Sequence, residues 1–183
     1  MKTAIRNGLL AIALVAMQCL STPALHAGAP IAWNAIQGKN GECQISFPSL
    51  PQVMQQKIPV GQGGKHLFYD MYVAPFEEKG LFLLLVATYP EPIPQGGQEV
   101  AGLQGLVRGI LGQHPENRLV FGEMGTLLGH PSVSFLIESK TSYFRGQALV
   151  VGNKLFLIAM EGIKGSLDEA IFKHFVKSFQ LTK

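Results

Sequence analysis

Cys43 is the one thiol beyond residue 27, and it lies in ECQISFP, where Cys43, Ile45 and Phe47 share one face of an alternating strand. A nucleophilic thiol needs an oriented base, and no histidine stands near it in sequence. The expectation is a thiol packed in the core, and the sharper alternative is a disulfide to a second chain. Histidines 66, 114, 130 and 174 are scattered singly, with no H-x-x-x-H or C-x-x-C spacing to converge on a metal; His130-Pro131, after Gly129, marks a turn into a strand. The chain has two aspartates, Asp70 and Asp168, and no G-x-S-x-G elbow. Asp168 suits the positive start of a helix.

Paired carboxylates for glycoside chemistry must face each other across a cleft. Glu77-Glu78 beside Lys79 read as solvated turn charge; Glu138 and Glu161 stand on strands that a sheet can bring together, but nothing in the sequence places them opposite each other. The segment GQGGKH lacks the G-x-x-x-x-G-K-[ST] pattern and no helix follows it, so it reads as a hairpin loop. No catalytic, cofactor-binding or metal-ligating residue is named on these grounds, and the reading is of a non-enzymatic protein.

One stretch resists that plain account. In GLQGLVRGILGQ, Gly102, Gly105, Gly109 and Gly112 recur at three- and four-residue steps. On a helix they line a stripe opposite Leu103, Val107 and Ile110. Each exposed glycine costs a helix about 1 kcal/mol against alanine. Close approach by another backbone would offset that cost: a partner protein, a second copy, or this chain's own segment around Trp33. Arg108 stands between the glycines, and Tyr143 and Arg145 in SYFRG are further candidate interface groups, because Tyr and Arg are enriched where binding energy concentrates.

The elements that must position these groups are mostly strands. ECQISFP stops at Pro48. PQVMQQKIPV and KHLFYDMYVAP flank the Gly61–Gly64 loop, and glycines supply the positive φ angles of such turns. FEEKG turns into LFLLLVATYP, a continuous apolar run expected of a central strand buried on both faces. After three prolines the period lengthens: Val100, Leu103, Val107 and Ile110 predict a helix over about 98–113. Two further strands precede the hairpin YFRGQALVVGNKLFLIAM, with Gly152-Asn153 at its tip. A closing helix from Leu167 to about Lys177 is predicted, with Ser166 as N-cap and Glu169 completing a capping box. Its buried face is Leu167, Ile171, Phe172, Phe175, Val176 and Phe179. Strands, helix, strands, helix give an α+β fold, a mostly antiparallel sheet with two main helices packed on it.

The ends set the expected compartment. MKTAIRNG, an apolar middle and STPALHA describe a secretory signal peptide over residues 1–27. Cleavage is expected after Ala27, with cleavage after Ala24 or an uncleaved anchor as rivals; Met17-Gln18 before Cys19 argues against a lipid-bearing cysteine. Residues 28–41 read as a leader with Trp33 and Ile36 as docking side chains, and 42–183 as one domain. Loss of Lys2 and Arg6 leaves 13 Lys and Arg against 12 acids, so the chain beyond residue 27 is near neutral. That balance offers no electrostatic footprint for nucleic acid.

CQISFPSLP, LLLVATYP, GHPSVSFLIES, YFRGQALVVGNKLFLIAMEG and FKHFVKSFQL, in that order over about residues 42–181, resemble the PsbP/Mog-like α/β/α sandwich superfamily. The resemblance implies an accessory or interaction module and supplies no catalytic residues. The expectation is therefore an exported domain, periplasmic or secreted, that binds an unidentified protein partner and has no membrane span after signal cleavage. The alternative is a carrier of a small apolar or amphiphilic ligand held between sheet and helix.

Overall fold

The protein, as a computed structural model, is described over residues 31–60, 64–94 and 97–182. The segment read as a signal peptide, Cys19, the start of the leader and residues 61–63 of the Gly61–Gly64 loop lie outside the described residues.

The strands are β1 (Asn34–Gln37), β2 (Cys43–Phe47), β3 (Gln52–Pro59), β4 (His66–Phe76), β5 (Gly80–Thr88), β6 (Arg118–Leu127), β7 (His130–Glu138), β8 (Ser142–Val151), β9 (Lys154–Ile163) and β10 (Gln180–Leu181). The helices are α1 (Gln98–Leu111) and α2 (Glu169–Lys177). Seven strands form one sheet in the order β3-β4-β5-β9-β8-β7-β6, and every pairing in it is antiparallel. A small sheet, β1-β2-β10, lies apart from it. The expected α+β architecture is therefore present.

Side chains of alternate parity leave a strand on opposite faces, and each face of the large sheet builds its own core. Leu67, Met71, Leu83 and Leu85 pack with Leu103, Leu106, Val107 and Ile110 of α1. Tyr72, Phe82, Leu84 and Phe156 pack with Phe172 and Phe175 of α2 and with Cys43, Ile45 and Phe47 of the small sheet. The run Leu81–Ala87 is buried throughout because β5 has strands on both sides and a covered layer above and below. Each large side chain so buried contributes about 1.5–3 kcal/mol.

Two glycines are explained by a tight turn and a close packing contact. Gly152 takes φ 60° at the two-residue tip between Val151 and Lys154, a backbone L side chains rarely adopt. Gly146 on β8 lies under the Phe135 ring, where an added Cβ would stand 2.3 Å from Cζ.

Two expectations change in detail. Residues read as a leader belong to the fold from about Ala32 onward: β1 pairs with β2, and Trp33 and Ile36 dock on the α2-side core as foreseen. Trp33 sits 5.8 Å from Phe82 and 4.4 Å from His174, ring centroid to centroid. The cap of α2 is Asp168, not Ser166. The helix starts at Glu169, and the Asp168 carboxylate accepts from the N–H groups of Ala170 and Ile171 at 2.8 and 3.1 Å. Ser166 Oγ instead donates to the Ile163 carbonyl. No capping box forms, because Glu169 is one residue beyond the cap and reaches Arg145.

Candidate functional site

The residue types able to do chemistry stay dispersed. Cys43 is fully buried with Ile45 and Phe47, and burial pushes its thiol up to about 12. A thiol so enclosed is beyond a second chain's reach, which removes the intermolecular disulfide. Glu138 pairs in register with Tyr143, and Glu161 with Phe144, so the two carboxylates leave opposite faces of the sheet. Glu138 is bound to Lys164 at 2.9 Å. Burial pushes the Glu161 carboxyl upward, yet the enclosed space beside it and Tyr143 is about 10 Å³, room for about one water. Among the described residues no three His, Cys, Asp or Glu side chains group as metal ligands.

Tyr143 and Arg145 are interior groups, which corrects their place on a contact surface. Tyr143 is 3% and Arg145 7% exposed. Strand alternation points both at the α2-side core. The Arg145 guanidinium lies between two rings, 4.7 Å from Phe121 and 4.3 Å from Phe172. Its Nη1 donates to Ser134 Oγ and to the carbonyls of Phe135 and Gly146 at 2.9–3.0 Å, and Nε donates to Glu169 at 2.8 Å. Arg145 is therefore a clamp joining β6, β7, β8 and α2.

The glycine stripe is open at two of its four positions. A Cβ built at Gly102 or Gly105 meets nothing within 4 Å, and Gly109 is half-buried. Gly112 closes the helix, its N–H donating to the Arg108 carbonyl, and Arg108 is exposed. Trp33 lies across the large sheet from α1, in the core on the α2 side, so the segment around Trp33 does not cover the stripe.

Two surfaces emerge that the linear sequence did not show. The first is β6. It is the last strand of the large sheet, paired with β7 on one side only. Val120 bulges out of register, and Leu119, Val120 and Met124 are 45%, 54% and 41% exposed. The other edge, β3, carries Lys57 and Pro59; β6 has neither Lys nor Pro, and its charges, Arg118 and Glu123, flank the apolar run at the bulge. The run Leu119-Val120-Phe121, three apolar residues breaking the alternation, was the available signal.

The second surface is an open cleft of about 480 Å³ where the β1–β2 turn overhangs β3, β4, β5 and β9. Lys57, Phe68, Thr88 and Lys154 form one cross-strand row on its floor, and Asp70 lies in the next row. The turn is fixed by the Lys39 N–H, which donates to Tyr72 Oη at 2.7 Å.

No protein-family model matches the chain, and no curated protein matches it. Among solved structures, the solution structure of cyanobacterial PsbP (CyanoP) from Synechocystis sp. PCC 6803 is similar, with TM-score 0.51 and 9% identity over 87% of this chain and 98% of that one. A Bacteroides thetaiotaomicron structure matches at TM-score 0.37 and 13% identity, over 81% of this chain and 48% of that one, too remote to bear on the fold. The element order, the two-faced sheet and the match over nearly the whole cyanobacterial chain make this fold PsbP-like.

Proposed function

We propose that the chain is an exported, non-enzymatic PsbP/Mog-like domain that binds a protein partner in the cell envelope or outside the cell, and that the partner adds an extended segment to β6. The supporting observation is the long β6 edge with its exposed apolar side chains. Edge addition draws affinity from main-chain hydrogen bonds and specificity from alternate side chains. The open glycines of α1 flank this edge, because α1 packs on β6, β7 and β8. Export rests on the charged, apolar and small-residue order of residues 1–27.

Photo-crosslinking in living cells tests the reading, with a photoreactive amino acid at position 120 and a control at position 53 on the β3 edge. A discrete protein adduct at 120 and none at 53 is expected. Equal labelling at both, or none with the protein folded and exported, removes β6 as the contact.

The second reading, a ligand carrier, gains no support from the space between sheet and helix, where both cores are packed with side chains. What favours it is the open cleft under the β1–β2 turn.

A further inference from the structure

The cleft gathers three unpaired lysines on one surface. Of the six described lysines elsewhere, Lys65, Lys79, Lys140 and Lys164 are paired with carboxylates, and Lys173 and Lys177 on α2 are not. Lys39, Lys57 and Lys154 all line this cleft, and among the described residues none of them is ion-paired with an acid. Their contacts are neutral ones. Lys39 Nζ donates to Gln55 Oε1, Lys154 Nζ to Thr88 Oγ1 at 3.0 Å, and Lys57 Nζ stands 5.7 Å from the Phe68 ring centroid. The one carboxylate in the lining, Asp70, is 6% exposed and accepts from Gln55 Nε2. The lining thus carries three cations and one engaged acid, and a second carboxylate, Glu42, is buried behind it in the β1–β2 turn.

The floor is equally distinctive. Phe68 is 48% exposed, and it occupies the middle of the cleft, between Lys57 on β3 and Thr88 on β5. Strands about 4.8 Å apart put Lys57 and Lys154 about 14 Å apart at the backbone, close enough for two lysine side chains to reach one small ligand. A concave site with an aromatic floor and a few polar groups is the usual form of a small-molecule site.

We propose that this cleft binds a small organic anion, its acid group held among Lys39, Lys57 and Lys154 and its apolar body lying on the open face of Phe68. The site is on the opposite end of the large sheet from β6 and does not rest on the partner-binding reading.

The probe is 8-anilinonaphthalene-1-sulfonate, titrated by fluorescence against the chain from residue 28, with neutral N-phenyl-1-naphthylamine as its uncharged counterpart. Saturable 1:1 binding of the sulfonate is expected, at least tenfold tighter than the neutral probe. The double substitution Lys57→Gln with Lys154→Gln weakens it about tenfold or more, and Phe68→Ser does likewise. All three side chains are at least partly solvent-exposed, and circular dichroism confirms that the fold survives. Lys140→Gln, at a distant ion pair, and Val120→Ser, on β6, leave binding unchanged. Absence of saturable binding, equal affinity for the neutral probe, or binding that survives the double substitution overturns the proposal.

Discussion

Replacing Arg145 tests the interior clamp. Nη1 has two hydrogens and three acceptors at 2.9–3.0 Å, so it makes about two full charge-assisted bonds, each contributing about 1.5 kcal/mol or more. The two ring faces add about 1–2 kcal/mol together in this desolvated setting. Glu169 is 42% exposed, so solvent screens that pair to about 1 kcal/mol or less. Allowing for the desolvation that arginine no longer suffers, Arg145→Ala is expected to cost about 3–5 kcal/mol, a large part of a domain's usual stability. Arg145→Met keeps an apolar stem between Phe121 and Phe172 and is expected to cost less, since a buried charge exchanged for an apolar side chain of similar size is often nearly neutral. Arg145→Lys loses the planar fork and falls between. Urea unfolding followed by circular dichroism measures the series. A cost for alanine below about 1 kcal/mol, or lysine indistinguishable from arginine, refutes the clamp.

Three further outcomes follow from the packing. Gly102→Ala and Gly105→Ala each raise stability by up to about 1 kcal/mol in chemical unfolding, because the added methyl meets nothing and helix propensity improves; destabilisation shows that the stripe is covered. The Cys43 thiol stays unmodified by a disulfide reagent at pH 8 in the folded chain and reacts on unfolding, whereas rapid native labelling contradicts its burial. Burial raises the Glu161 carboxyl in the folded state, so folding takes up protons there and stability falls as pH rises from the ordinary value of 4.5 through the raised one. Glu161→Gln is therefore more stable than the parent at pH 7, with the gain vanishing below pH 4.5; a gain independent of pH would assign it to something other than charge.

The elements were legible where a local period is strong. Alternation over Leu67–Val73, the unbroken run Leu81–Ala87, the Gly152-Asn153 tip and the 3.6-residue stripe of α1 each read directly as what they form. What stayed hidden depends on strand order, which pairs residues far apart in sequence. Arg145 reads as a surface cation until Glu169, 24 residues on, and Phe121, 24 residues back, close over it. Lys39, Lys57 and Lys154 have no shared motif: the β3-β4-β5-β9 register aligns Lys57 with Lys154, and the β1–β2 turn, held to Tyr72, brings Lys39 over them. In β6 only the run Leu119-Val120-Phe121 departs from ordinary alternation, and its exposure follows from its place at the end of the sheet. The α2 cap was misassigned by two residues because Ser166 and Asp168 are both good caps and only the backbone decides between them.

The most direct test of partner binding through β6 is backbone hydrogen exchange across Arg118–Leu127, measured in the free chain and in the complex isolated by crosslinking at position 120. Every second amide of an edge strand points away from its neighbour, so the free chain is expected to exchange these rapidly and the complex to slow them at least tenfold. A stable complex that leaves β6 exchange unchanged, with protection appearing on β3 or α1 instead, contradicts the account.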